Sequence, residues 1–577
     1  MDMETVLHKA QAWLCPPYDR ETRDAVQDLI DNNPDGLYDA FYKELAFGTA
    51  GIRGIMGVGT NRINRYTIGK ATQGLANYLK ARFHSVPEIK VAIAYDCRHH
   101  SKALALTCAN ILSANGIKAC IFEELRPTPA LSYAVRHLRC QAGIVLTASH
   151  NPPEYNGYKV YGADGAQVVP PWDQAIVDRV NKTLVTDIEW TGHADRIQWI
   201  GQAVDDAFIQ ACLRYAHYTT SGKSALKIAF TPLHGTSITL IPQALRAAGF
   251  KNIHIAAAQA QPDGDFPTVK SPNPEEPAAL QMVLNLADEV GADIAIGTDP
   301  DADRIGIGVR DLQGRMVLLN GNQTNTVLIS YLLERWRESG RLNGAQFICS
   351  TLVSSDIFYS LAREYETRLQ VTLTGFKWIG KAIREAEGKL EFIGGGEESF
   401  GFMVGDFVRD KDAIAATLLA CEIAAVAKAQ GSSFFRELLV QYAKYGVYRD
   451  RQISITEKGA QGAKKIQRWM QDLRENPYKA LGGSPVTRIA DYQRGIDYRV
   501  RGKTQIPLSD IPRSNVLIYY TETGDKVAVR PSGTEPKIKF YISVKKPLGG
   551  VENYQKTKAA LDEKIDRIAA EMGIAKD

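Results

Sequence analysis

Ser149, His150 and Lys159 bring a hydroxyl, an imidazole and an ammonium into one short stretch, Thr147-Ala148-Ser149-His150-Asn151-Pro152-Pro153-Glu154-Tyr155-Asn156-Gly157-Tyr158-Lys159. The apolar run Ala142-Gly143-Ile144-Val145-Leu146 before it reads as a buried strand. Ser149 therefore stands where a strand gives way to a loop, the end at which ligands gather in open α/β sheets. A serine so placed is a candidate nucleophile or phosphate carrier. Taken alone, the stretch is equally readable as a Ser/Asn/Pro turn.

Five other stretches carry chemistry. In Gly297-Thr298-Asp299-Pro300-Asp301-Ala302-Asp303-Arg304, carboxylates at alternate positions can converge on one hard cation. A calcium loop of EF-hand type fails, because its sixth position would be Arg304 and its twelfth Arg310; three oxygens with vacant positions suit Mg²⁺. Gly396-Glu397-Glu398-Ser399 supplies acceptors, a hydroxyl and a close backbone, which is what sugar hydroxyls require. Downstream, Arg409-Asp410-Lys411-Asp412 adds a lysine able to meet a phosphate or move a proton, or else a charged helix entry with an aspartate N-cap. Arg530-Pro531-Ser532-Gly533-Thr534-Glu535-Pro536-Lys537 has the arginine fork, hydroxyls and loop N–H groups of an anion nest. Near the start, Phe47 to Gly57 sets Gly48, Gly51, Gly54 and Gly57 around Arg53, a poor helix and a poor strand, and is expected to be a ligand-approaching loop.

Together these specify a phosphate-carrying hydroxyl, a Mg²⁺ site, a polyol-binding loop and a second anion site. Phosphoryl transfer needs little more than positioning and charge neutralisation. Nucleotide-dependent alternatives lack their marks: there is no Walker A loop and no kinase-type catalytic loop. Ala148-Ser149-His150 is not the nucleophile elbow of a serine hydrolase.

The elements that must position these loops follow an α/β rhythm. Residues 1–45 read as helical. Strands are expected at 90–95, 117–122 and 142–146, with helices at 101–113 and 127–138 between them, a β-α-β-α-β order that predicts a parallel sheet. The architecture recurs with strands at 227–230, 253–255 and 293–296, and again with strands at 346–349, 370–373 and 390–393 and a helix ending near 430. The rhythm breaks toward the C-terminus, where a hairpin at 516–529, a strand at 538–544 and a long helix at 551–572 indicate an α+β domain, with 441–512 partly linker. The chain thus reads as three consecutive α/β domains plus a C-terminal α+β domain, bounded at 1–208, 209–318, 319–440 and 441–577.

A chain of 577 residues is long enough for about four domains. With 69 Lys and Arg against 65 Asp and Glu, the net charge of +4 gives no global basic field, so nucleic acid is not an expected partner. No apolar run reaches the length of a membrane span, and Met1-Asp2-Met3-Glu4 does not open a signal peptide. Eight scattered cysteines without a C-x-x-C pair read as free thiols in a reducing compartment, so a cytoplasmic enzyme is expected.

The loops, in this order, resemble the α-D-phosphohexomutase superfamily, from Thr49-Ala50-Gly51-Ile52-Arg53 to Thr534-Glu535-Pro536. Gly396-Glu397-Glu398-Ser399-Phe400-Gly401 is similar to the phosphoglucomutase branch, and the extended N-terminal segment to its phosphoglucomutase-2-like subgroup. The resemblance implies four domains around a central cleft, with Ser149 as phosphoserine and Mg²⁺ held by Asp299, Asp301, Asp303 and a phosphate oxygen on Ser149. It implies that Arg53 and Arg304 steady the moving phosphoryl group, with His150 and Lys159 nearby and Lys411 as general acid or base. Thr374, Gly375, Lys377, Glu397 and Ser399 would meet the sugar; Arg530, Ser532, Gly533 and Thr534 would grip the idle phosphate. The implied reaction interconverts glucose 1-phosphate and glucose 6-phosphate through bound glucose 1,6-bisphosphate, in a monomer or homodimer. The alternatives are a phosphopentomutase, a phosphomannomutase, a glucose-1,6-bisphosphate synthase, and a silent sugar-phosphate-binding protein.

Overall fold

The computed structural model describes residues 1–45, 51–216, 222–457, 459–532 and 537–575. By its internal contacts the chain divides into two compact units, Met1–Thr324 with Phe376–Phe434, and Asn325–Gly375 with Phe435–Asp577.

The first unit opens with the expected helices, Met3–Gln11, Arg20–Asn32 and Pro34–Phe41. Asp2, Asp19 and Asn33 cap them by accepting from the backbone N–H of Thr5, Thr22 and Gly36. Their apolar faces close a satellite core of Val6, Trp13, Val26 and Phe41 against Tyr66. Six strands then make one mixed sheet: β1 (Gly51–Ile55), β2 (Lys90–Tyr95), β3 (Lys118–Phe122), β4 (Ala142–Leu146), β5 (Tyr155–Gly162) and β6 (Ile197–Ile200), in the order β1-β5-β4-β2-β3-β6. The expected parallel pairing holds for β2 with β3 and β4, whose side chains Val91, Ile93, Ile144 and Leu146 are fully sealed from water. β5 returns antiparallel to β4, so the Ser149 loop is the connection of a hairpin at the carboxyl end of a buried strand.

One expectation is corrected here. Gly51–Ile55 is an edge strand, antiparallel to β5 with Arg53 opposite Gly157. At Gly51, whose φ is 135°, a Cβ would lie 1.9 Å from the carbonyl oxygen of Tyr158. Glycine is required because the two backbones run so close, which is a strand's use of glycine rather than a loop's.

A second sheet follows: β7 (Lys227–Thr231), β8 (Asn252–Ile255), β9 (Ile294–Thr298), β10 (Ile305–Arg310) and β11 (Met316–Leu318), ordered β11-β10-β9-β7-β8. β9 and β10 are antiparallel with Thr298 opposite Ile305, so the aspartate loop is again a hairpin connection. The chain then contributes the parallel pair β12 (Gln346–Thr351) and β13 (Arg368–Thr372) to the second unit. It re-enters the first with the helix Phe376–Ala386, which the sequence reading did not anticipate, and an antiparallel pair, β14 (Glu391–Gly396) and β15 (Phe402–Val404). The Glu397 loop joins that pair, the third site loop of the same kind.

The remainder of the second unit is one antiparallel sheet. Its strands are β16 (Val447–Thr456), β17 (Ala480–Leu481), β18 (Ser484–Asp491), β19 (Ile496–Arg499), β20 (Thr504–Pro507), β21 (Leu517–Thr521), β22 (Lys526–Pro531) and β23 (Lys537–Lys546). Their order is β16-β23-β22-β21-β18-β19-β20, with β17 beside β18, and the last helix, Tyr554–Glu571, packs on β16 and β23. The stretch 441–512, expected to be partly linker, instead holds five of these strands and the helix Gly459–Glu475.

The buried helix Ala413–Ala429 begins at Asp412, whose carboxylate accepts from the N–H groups of Ile414 and Ala415 at 2.8 and 3.0 Å. Burial pushes this carboxyl up to about 7, against the stabilising pull of those two N–H groups. A carboxyl raised in the folded state stabilises below its ordinary range and loses that contribution as pH rises through about 7. Asp412→Asn keeps the cap and removes the charge. The variant should match the parent's Tm near pH 4 and exceed it near pH 8, by at most about 4 kcal/mol in stability. Parallel Tm curves for the two proteins would refute this.

Candidate active site

Ser149 has φ of 53°, a left-handed conformation that costs a non-glycine residue about 1 kcal/mol and marks an over-determined turn. Its N–H donates to Thr147 Oγ1 at 2.8 Å. Its side chain is buried, with Oγ donating to Asp299 Oδ2 at 2.7 Å and lying 3.2 Å from Nδ1 of His150. Serine and aspartate, 150 positions apart in the chain, are thus in direct contact.

The three aspartates converge as their alternate spacing implies. One carboxylate oxygen from each of Asp299, Asp301 and Asp303 lies within 4.8 Å of the others, and all three side chains are buried. Ala302, also left-handed with φ of 53°, turns the backbone between the second and third. Two lysines neutralise the cluster: Lys159 Nζ is 2.7 Å from Asp301 and 3.5 Å from Asp303, and Lys411 Nζ is 3.0 Å from Asp303. Among the described residues, Asp301 Oδ1 and Asp303 Oδ1 are buried without a hydrogen-bond partner. Two lone carboxylate oxygens facing a third carboxylate and a serine hydroxyl fit a small divalent cation.

Electrostatics agree with the geometry. Burial, with the charges of Asp303 and Asp301, pushes the Asp299 carboxyl well above the usual carboxylate range. Burial acts the same way on Asp303, but Lys411, Lys159 and Arg304 outweigh it and hold that carboxyl ionised. Burial would also strip Lys411 of its proton; Asp303, Asp410 and Glu397 reverse this, so it is an ammonium. Lys159 is kept charged in the same way by Asp301 and Asp303. His150 is driven well below its ordinary value by burial and by Arg304 and Arg53, and is therefore a neutral imidazole.

Arg53 is exposed on β1, and its Nη1 donates to Asn151 Oδ1 at 2.9 Å, bringing the first expected loop to the Ser149 turn. Arg304 pairs with Glu275 and lies 3.9 Å from Asp299 and from Asp303. Arg304 also bridges Gly401 in antiparallel register, and the Ile305 N–H donates to the Phe400 carbonyl at 2.9 Å. The Glu397–Ser399 loop is thereby fixed beside the aspartate loop. Glu397 is buried and its charge acts on both Arg304 and Lys411. Lys377 stands in the first turn of the helix Phe376–Ala386, where burial lowers its pKa against the opposing charge of Asp173.

The other expected sugar and phosphate contacts belong to the second unit. Thr374 and Gly375 follow β13, and Arg530 is the last residue but one of β22, with Ser532 directly after the strand. Gly533 and Thr534, like Thr49 and Ala50, lie outside the described residues.

Three models of one family match in succession: phosphoglucomutase/phosphomannomutase alpha/beta/alpha domain I over residues 44–186, domain II over 206–314 and domain III over 320–442. The chain belongs to the phosphoglucomutase/phosphomannomutase family. It is accordingly a phosphosugar mutase, an intramolecular phosphotransferase. A phosphoglucomutase of Staphylococcus aureus strain MRSA252 is 38% identical over 513 residues, 88% of this chain and 91% of that protein. Among solved structures, a putative phosphomannomutase from Thermus thermophilus aligns with a TM-score of 0.66 at 21% identity, over 90% of this chain and 99% of that one. The open form of the Paramecium phosphoglucomutase parafusin aligns with the same score at 17% identity, over 92% and 96% of the two chains. These two share the fold. Among the described residues, no single helix is long and apolar enough to cross a membrane.

In this mutase, three site residues escaped the sequence reading. Glu275 is the ion-pair partner of Arg304. Thr128, whose Oγ1 donates to Asp301 Oδ2 at 3.1 Å, leads a helix whose first N–H also donates to the Asp301 carbonyl. Arg98, buried three residues beyond the end of β2, holds the backbone of the Ser149 loop. The strand-end rule that singled out Ser149 applies equally to Tyr95-Asp96-Cys97-Arg98 and would have found it.

Proposed function

We propose that the chain interconverts glucose 1-phosphate and glucose 6-phosphate, with Ser149 as the residue that carries the phosphoryl group between turnovers. The observation that carries this reading is the Ser149 hydroxyl held 2.7 Å from Asp299, in a cluster with two other buried aspartates and two lysines. Similarity to the staphylococcal phosphoglucomutase supports glucose as the sugar.

In the first half-reaction the bond between Ser149 Oγ and phosphorus breaks as the 6-hydroxyl of glucose 1-phosphate bonds to phosphorus. The bisphosphate then turns, and its 1-phosphoryl returns to Oγ. The Oγ proton released on refilling has two acceptors within reach, Asp299 and the neutral His150. Each half moves one proton from the attacking hydroxyl to the oxygen set free. As Ser149 is emptied, Lys411, an ammonium at rest, passes its proton toward Oγ by way of Asp299 or His150 and is recharged by the 6-hydroxyl. As Ser149 is refilled, it gives its proton to O1 and is recharged by the proton that Oγ releases along the same route. Arg53, Arg304 and Lys159 neutralise the moving charge. Asp299, Asp301, Asp303 and the Ser149 phosphate would hold Mg²⁺, which when bound supplies charge neutralisation at the transferring phosphoryl group. Thr374, Gly375, Lys377, Glu397 and Ser399 bind the sugar in this reading, and Arg530, Ser532, Gly533 and Thr534 the phosphate that is not reacting. The same reading has four domains at 1–208, 209–318, 319–440 and 441–577, in a cytoplasmic monomer or homodimer.

Substrate preference is tested by comparing kcat/KM for glucose, mannose and ribose 1-phosphates in coupled assays. Glucose 1-phosphate should be favoured by about tenfold or more, roughly the 1.4 kcal/mol that one well-placed hydroxyl contact supplies. A higher value for ribose or mannose would replace the proposal with a pentomutase or mannomutase.

A further inference from the structure

The guanidinium of Arg98 is sealed from solvent beneath the Ser149 turn. Its Nη2 donates to the carbonyls of Ser149, at 2.6 Å, and Asn151; its Nη1 donates to those of Pro152 and Tyr155, at 2.8 and 2.9 Å. Four carbonyls spanning the whole connection between β4 and β5 are thus tied to one planar group. A lysine, with a single point charge on a flexible stem, cannot reproduce that fork.

The fork is itself clamped. Asp96 accepts from the Arg98 N–H at 3.0 Å and from Ser101 Oγ at 2.9 Å, and its other oxygen faces Arg98 Nε at 3.5 Å. On the far side the guanidinium stacks over the ring of Phe266, 5.0 Å from its centre. A Cβ at Gly264 would sit 2.9 Å from the Cys97 carbonyl oxygen and 3.2 Å from Arg98 Cα, so the turn preceding Phe266 presses on the Arg98 backbone. A buried charge costs several kcal/mol unless it is paired and hydrogen-bonded. Here the four guanidinium hydrogen bonds all go to one loop, while Nε has only the longer ion pair with Asp96.

We propose that Arg98 is the positioning residue for Ser149: its fork fixes the left-handed turn that aims Oγ at Asp299, and so sets the rate of phosphoryl transfer without touching the substrate. The inference rests on Ser149 being the phosphate carrier. Arg98 would then move kcat and leave KM nearly unchanged, whereas a residue acting only on stability would move Tm alone.

The experiment compares Arg98→Lys, Arg98→Ala and Gly264→Ala with the parent enzyme in kcat, KM and Tm. Arg98→Lys should lose about 30- to 100-fold in kcat with KM within about threefold. Millimolar guanidinium chloride should restore part of the kcat of Arg98→Ala, while urea at the same concentration should not. Gly264→Ala, which leaves every polar group in place, should lower kcat in the same direction. Should Arg98→Ala fail to fold, the other two variants decide. Parental kcat in both Arg98→Lys and Gly264→Ala overturns the proposal, as does a folded Arg98→Ala whose loss guanidinium leaves untouched. Mass spectrometry of the parent separates this from the underlying reading: a parent without phosphoserine at Ser149 overturns the carrier role itself, whereas a phosphorylated parent with a fully active Arg98→Lys overturns the positioning role alone.

Discussion

Ser149→Ala is expected to lower kcat by roughly 10⁴-fold or more while leaving sugar-phosphate affinity within a few-fold of the parent. The substitution removes the atom that carries phosphoryl and little else. Alanine meets the same left-handed backbone that Ser149 already occupies, and the fork of Arg98 grips carbonyls, not the lost hydroxyl. The local cost is the bond from Oγ to Asp299, about 1 kcal/mol. Groups assigned to the sugar and to the idle phosphate are untouched. Coupled assays would measure the rate, titration calorimetry the affinity, and mass spectrometry the absence of phosphoryl at position 149. Activity near the parent's level would end the phosphoserine assignment.

Asp301→Asn is expected to raise the Mg²⁺ concentration needed for half-maximal activity by ~100-fold or more. Asp301 offers one oxygen to Lys159 and Thr128 and has its other buried and unshared, so that oxygen is the one placed for a cation. An amide there binds a hard cation poorly and leaves Lys159 with only the longer contact to Asp303. The parent itself should tolerate chelation structurally, because Lys159, Lys411 and Arg304 already balance the three carboxylates. Chelated parent protein should therefore be inactive yet lose little Tm, and regain activity on adding Mg²⁺. An unchanged Mg²⁺ requirement in the variant would remove Asp301 from the ligand set.

The legible parts of the fold were those with a local signature. β2, β4 and β9 are continuous apolar runs because helices and neighbouring strands bury both their faces, and they lie where the sequence placed them to within two residues. β1 was not legible, since Gly51 and Gly54 carry no strand preference and only the opposite backbone of β5 makes them a strand. β5 itself, Tyr-Asn-Gly-Tyr-Lys-Val-Tyr-Gly, was masked by its loop-like Asn-Gly and by its charged lysine. The strands between 447 and 507 mix buried, half-buried and exposed residues without a regular period, with exposed β20 at the sheet edge, so their apolar signal is diluted. Within the site, Ser149, the aspartates and Lys411 declared themselves by residue type. Glu275 did not, because an acid gains its meaning from a partner tens of residues away and no local pattern encodes that distance, whereas Arg98 had a local signal in its place at the carboxyl end of β2.

Chain connectivity has a bearing on how the enzyme is made. The first compact unit is discontinuous, since its second piece, Phe376–Phe434, follows a stretch of 51 residues, Asn325–Gly375, that belongs to the other unit. A chain made as far as the aspartate hairpin thus has the three carboxylates with Lys159 and Arg304 as their cations, and Lys411 still to be synthesised. The helix Ala413–Ala429, which is buried almost throughout, must likewise wait to close over this unit. The first unit therefore cannot complete its charge cluster until more than a hundred residues beyond Asp303 have been made, and a chain that stops short of Lys411 lacks one of the cations that pair with Asp303.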